Sequence, residues 1–133
     1  MKRSKAREMA MNILFQMDFH NEYTLDFTNK YLENSEESEN DQEEYIRVLT
    51  QKFMNNMEVI DKLIEEKSNE WKLSRIAKVD LAILRVAITE LEYFDDIPNS
   101  VSINEAVELA KTFSTEESGS FVNGILGNIA KNK

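Results

Sequence analysis

The sequence predicts an all-α protein, a compact bundle of about seven helices. Three observations lead there. The 133 residues include only three glycines and one proline, too few for the turn every ~8–12 residues that a sandwich or barrel needs. Apolar residues recur at helical spacing in segment after segment. Start signals of the Ser/Thr/Asp-x-x-Glu type stand before several of those segments.

The first helix carries Ala6, Met9, Ala10, Ile13, Leu14 and Met17 on one face, with Lys2, Arg3, Lys5 and Arg7 at its start. Cations there oppose the positive end of the helix dipole, so an anionic ligand is one reading and a frayed, solvated terminus the other. Thr24 to Leu32 is a short second helix. Residues 33–41 hold no hydrophobe and read as an acidic flexible loop inside one domain spanning 1–133. Asp41 and Glu44 signal a third helix, with Ile46, Leu49, Phe53 and Met57 inward. A fourth segment carries Ile60, Leu63 and Ile64 and runs into Trp71 and Leu73. Ser74 to Phe94 is apolar on most sides and is expected to be the central, buried helix.

After Pro98, Ser102-Ile103-Asn104-Glu105 reads as a capping box with Val101 and Ala106 as its staple, and Ser114-Thr115-Glu116-Glu117 as a second. The last helix carries Phe121, Val122, Ile125, Leu126 and Ile129. It also holds Gly119, Gly124 and Gly127. Glycine inside a helix costs ~1 kcal/mol relative to alanine, so tight packing is expected at Gly127. Gly124 is left open between packing and a ligand, and Gly119 reads as loosening a helix start.

Composition narrows the function. The net charge of −9 argues against nucleic-acid binding through bulk charge, since phosphate attraction needs clustered cations. Residues 21–70 hold 5 basic and 14 acidic groups, so the first seven residues are the one dense basic cluster. There is no cysteine and a single histidine, His20, which leaves few nucleophile–base pairs. No glycine-rich phosphate loop follows a strand. The longest uncharged run, residues 118–130, falls short of the ~18 apolar residues of a membrane span. A cytoplasmic, non-enzymatic helical binding module without cofactor or metal is the expectation.

Three stretches carry a resemblance. They are Arg3-Ser4-Lys5-Ala6-Arg7-Glu8; Ile76 through Ala87, continuing to Glu90-Leu91; and Ile97-Pro98 through Ile103-Asn104-Glu105-Ala106 to Phe121-Val122-Asn123-Gly124-Ile125-Leu126. Together they resemble the NusB family of bacterial transcription antitermination factors, collinearly over nearly the whole chain except the acidic loop. The resemblance implies two packed three-helix groups. It also implies binding of the boxA element of ribosomal RNA transcripts with NusE, a small-subunit ribosomal protein, in a complex with NusA, NusG and RNA polymerase.

On that basis Lys2, Arg3, Lys5 and Arg7 are expected at RNA phosphates. Phe121 and Asn123, with Lys111 and Glu117 nearby, are expected at bases, although Phe121 reads equally well as a core residue and Glu117 as a cap. Arg75, Lys78 and Asp80 are expected on a partner-binding stripe, with an internal salt bridge as the alternative for Asp80. Arg85 is expected to pair with a carboxylate such as Glu105. A protein–protein adaptor without RNA contact and a homodimer are the competing readings. One RNA strand touching both the basic start and the Phe121–Gly124 segment requires the two to share a side of the molecule.

Overall fold

The computed structural model describes residues 1–36, 41–69 and 71–132. Among them are α1 (Arg3–His20), α2 (Leu25–Glu33), α3 (Glu43–Asn55), α4 (Met57–Lys67), a 3-10 turn at Leu73–Arg75, α5 (Lys78–Tyr93), α6 (Asn99–Phe113) and α7 (Glu116–Lys131), with no strand. The expected class and helix number hold. Helices α1–α3 pack on one another and α5–α7 do the same, while α4 lies against α3, α5 and α7. The broad contact between α1 and α5 joins the two groups.

The central helix is as buried as its sequence foretold: every residue from Asp80 to Leu91 is inside. Burial on all sides leaves it no polar face, so its charged residues must find partners within the protein. The core around it draws Ile13, Leu14 and Met17 from α1, Leu49 and Phe53 from α3, Ile60 and Ile64 from α4 and Leu126 from α7.

Several helix starts differ from expectation. Pro98 is the N-cap of α6, because its fixed φ and missing N–H suit a helix entrance. Ser102 and Glu105 therefore lie inside the helix and act through side-chain bonds, not as a capping box. At α7 the cap is Thr115, whose hydroxyl accepts from the Ser118 N–H at 3.0 Å, which leaves Glu117 without a capping role. Thr24 caps α2 in the same way through the Phe27 N–H. Helix α3 starts at Glu43 behind Gln42, with no side-chain cap bond, so Asp41 does not serve as one. Asn56 separates α3 from α4, and Met57 opens the second of these helices. Glu33 closes α2, and the middle of the acidic stretch, residues 37–40, lies outside the described residues.

The glycines reverse the expectation. A Cβ on Gly127 or Gly124 would meet nothing within 4 Å, whereas one on Gly119 would stand 3.0 Å from Lys111 Cγ. The close approach of α6 and α7 is thus at Gly119. Gly127→Ala should raise the unfolding free energy by about 0.5–1 kcal/mol, since it removes backbone entropy without a clash. An unchanged or lowered urea midpoint would contradict this.

Candidate nucleic-acid and partner interface

The basic start of α1 is not uniformly exposed. Arg7 follows the helical spacing of Ala10, Met11 and Leu14 and is only 5% exposed. Its Nε donates to Glu90 Oε2 at 2.7 Å and its Nη1 to Glu105 Oε1 at 2.9 Å. Glu90, 1% exposed, also accepts from Ser102 Oγ at 2.7 Å and from the Tyr45 hydroxyl. Ser4 donates to Glu105. Burial, reinforced by the neighbouring Glu90 charge, pushes the Tyr45 phenol well above its usual range. Arg7 is therefore committed to two carboxylates, and the expected phosphate contact gives way to a role in seating α1 on α5 and α6.

Three cations remain at the tip. Arg3 lies over the Tyr45 ring, 4.1 Å from its centroid, and donates to Gln42. Lys5 pairs with Glu8 at 3.1 Å. Lys2 is exposed, with no ion pair among the described residues. Lys2 and Lys5 stand over a cleft of about 290 Å³ between α1 and α6.

A second, apolar groove of about 170 Å³ lies further along α1, lined by Met11, Asn12, Phe15, Val79 and Phe113. Phe113, 44% exposed, lines both hollows. Helical spacing with Ala106 and Ala110 would turn Phe113 inward, and nothing in the sequence singles out Phe15 or Val79. An aromatic at the end of one helix gives no sign of which neighbouring helix it will meet.

The partner-binding candidates separate. Arg75 is exposed in the 3-10 turn. Lys78 reaches Asp18 at 3.2 Å and remains largely exposed. Asp80 is only 6% exposed. Its Oδ2 accepts from Ser118 Oγ at 2.9 Å, and its Oδ1 has no hydrogen-bond partner. Asp80 is therefore neither on an exposed stripe nor in a salt bridge; it ties the start of α5 to the first turn of α7.

Arg85 does not pair with Glu105. It grips Asp61 with two bonds, at 3.0 and 2.8 Å, and lies 3.6 Å from Asp18. Burial alone would raise the Asp18 carboxyl. Hydrogen bonds from Lys78 and Tyr23 and the Lys78 and Arg85 charges outweigh it and hold the group below its usual range. A depressed folded-state pKa contributes stability above the unfolded value that is lost as pH falls through the folded one. Asp18→Asn should accordingly be less stable than the parent at neutral pH. The gap should close as pH drops below about 4; a gap independent of pH would refute the assignment.

The exposed Lys111 of α6 lays its stem over Gly119. Glu117 and Asn123 are exposed on α7. Phe121 is half-buried against the core, its ring 6.2 Å from that of Trp71, which is 51% exposed. Trp71 belongs with the candidates, although the sequence showed it only as an apolar residue before the central helix. Among the described residues no hydrogen bond or ion pair links α1 with α7. The basic tip and the Phe121–Asn123 segment form two patches, with α6 in contact with both through Glu105 and Lys111. No helix of the described residues is long and apolar enough to cross a membrane.

Fold and surface define an all-helical binding module that presents a cationic helix tip beside an apolar groove. Known proteins give the class a name. The NusB family model matches residues 4–131, and the chain belongs to the NusB family. It is 51% identical over 133 residues to the transcription antitermination protein NusB of Acetivibrio thermocellus, covering 100% of this chain and 91% of that one. Identity to the NusB of Clostridium novyi is 44% over 132 residues, covering 98% and 99%. Among solved structures, T. maritima NusB superposes with a TM-score of 0.88 at 36% identity, covering 98% of this chain and 92% of that one. A structure of the antitermination factors NusB and NusE in complex with dsRNA matches with a TM-score of 0.87 at 27% identity, covering 100% of both chains.

Proposed function

We propose that this chain is a non-catalytic, cytoplasmic antitermination factor that binds boxA RNA of ribosomal transcripts together with NusE. That pair would then join RNA polymerase with NusA and NusG. The observation that carries this reading is the placement of the cationic tip and the apolar groove side by side on α1, meeting at Phe113. A transcript needs the first and a protein partner the second, and adjacency lets each stabilise the other.

In this reading Lys2, Arg3 and Lys5 contact phosphates while Arg7 holds the helix that presents them. Lys111, Glu117, Phe121 and Asn123 form the second RNA patch, where Trp71 enlarges the aromatic surface on which an unpaired base can stack. Arg75 and Lys78 border the partner face.

The test is a gel shift of boxA RNA with and without NusE. Affinity should rise when NusE is added and fall with salt. Three phosphate contacts imply a log–log salt slope of roughly −2 on a single strand. Changing Lys2, Arg3 and Lys5 together to alanine should abolish most of that slope and lower the unfolding midpoint only by what the Arg3 contacts with Tyr45 and Gln42 contribute. Absence of RNA cross-linking in the presence of NusE would instead favour an adaptor acting through protein contacts, as the net charge of −9 suggests. A second copy of the chain is the competing occupant of the apolar groove, and sedimentation of the protein alone tests for it.

A further inference from the structure

We propose that the cleft between α1 and α6 is a pocket for one unpaired nucleobase bearing an exocyclic amino group, an adenine or cytosine of single-stranded RNA. The inference rests on the RNA-binding reading above and adds to it the base class that the cleft selects.

The cleft has three parts with different chemistry. Lys2 and Lys5 stand at its rim, where a phosphate on either side of an inserted base would lie. Leu109 and Phe113 give it an apolar wall, and the part-exposed Phe113 ring offers a face for a base to stack on. Glu108 and Thr112 add polar groups along α6.

The decisive group is Glu108. Three carboxylates line the cleft, and two are engaged: Glu8 by Lys5, and Glu105 by Arg7 and Ser4. Glu108 is exposed and makes no hydrogen bond or ion pair among the described residues. An ionised carboxylate only accepts hydrogen bonds. Beside a phosphate track it is repulsive unless it meets a donor. The exocyclic amino groups of cytosine and adenine are such donors, and glutamate is a natural acceptor for the cytosine N4 amino group.

Charge argues against a protein side chain as the occupant. The donors that a partner protein would bring to a carboxylate are mostly lysine and arginine, and the rim lysines repel them. The groove beyond Phe113 is the apolar surface suited to a protein. At about 290 Å³ the cleft suits a single planar group better than a folded segment.

The experiment is a set of anisotropy titrations with the full chain, the NusE partner and boxA RNA. The RNA is compared with versions in which each adenosine in turn is replaced by purine riboside, or each cytidine by the analogue lacking its 4-amino group. With the parent protein, one position should lose about 5- to 150-fold in affinity, the range of a single edge contact. Glu108→Ala should lose affinity for the unmodified RNA and become indifferent to the substitution at that same position. Phe113→Leu, which keeps an apolar wall, should weaken binding at that position without changing the salt slope.

If Glu108→Ala strengthens binding to every RNA by one common factor, the residue acts only as a repulsive charge and the pocket assignment is overturned. If either variant weakens binding of NusE and leaves the position dependence of RNA intact, the cleft belongs to the protein face and the assignment is likewise overturned. Failure of the parent protein to bind any RNA would overturn the functional reading itself, an outcome distinct from the other two.

Discussion

Replacing Arg7 with alanine is expected to destabilise the protein by about 3–5 kcal/mol, because it leaves a buried carboxylate without its counter-charge. Glu90 is almost fully enclosed, and its two oxygens accept from Arg7, Ser102 and Tyr45. Removing the guanidinium leaves Glu90 with hydroxyl donors alone. Lysine at position 7 should recover only part of the loss, since one ammonium cannot reproduce the planar fork that spans Glu90 and Glu105. Urea unfolding reads the effect directly.

The same variant separates anchoring from binding. Arg7→Ala should lose RNA affinity only to the extent that it unfolds or frees the start of α1. The Lys2, Arg3 and Lys5 variant should lose affinity with a much smaller fall in its midpoint than Arg7→Ala shows. An Arg7→Ala protein with the parent's midpoint but no RNA binding would return Arg7 to the phosphate-contacting set.

Phe53→Ala should cost a similar amount, about 3–5 kcal/mol, as truncation of a fully buried aromatic does. Phe53 has no exposed surface. The Arg85 guanidinium lies over its ring, 5.0 Å from the centroid, and the Tyr23 ring is 6.4 Å away. Its removal opens a void beneath a buried charge. Phe53→Leu preserves most of the volume and should cost much less, under about 1.5 kcal/mol. Equal losses for the two variants would show that cavity formation is not the cause. Both effects should appear in the unfolding midpoint.

Much of the fold was legible because it rests on local pattern. The apolar stripes of α1, α3 and α4 and the all-round hydrophobicity of α5 are properties of consecutive residues. The errors fell where a residue's role depends on a distant segment. Ser102 and Glu105 have the form of a capping box, yet their side chains are taken by Glu90 and by Arg7 and Ser4. Gly127 has the look of a contact point, but the approach of α6 to α7 occurs at Gly119.

The candidate site divides along the same line. That Arg3, Lys5 and Arg7 begin an otherwise ordinary amphipathic helix was visible, as was the family pattern in Phe121-Val122-Asn123-Gly124. Which arginine is buried was also within reach, since Arg7 shares helical spacing with Met11 and Leu14. The destination of its charge was not.

Residue order alone therefore determined the helices, their inward faces and the concentration of cations at one tip, because periodicity and charge are read along the chain. Tertiary structure decided that Arg7 and Arg85 serve the core, that Asp80 is enclosed, and that Phe113 joins two hollows. Ion pairs and clefts are formed by groups from different helices, such as Arg7 with Glu90 and Phe15 beside Phe113. Their proximity follows only from how those helices pack.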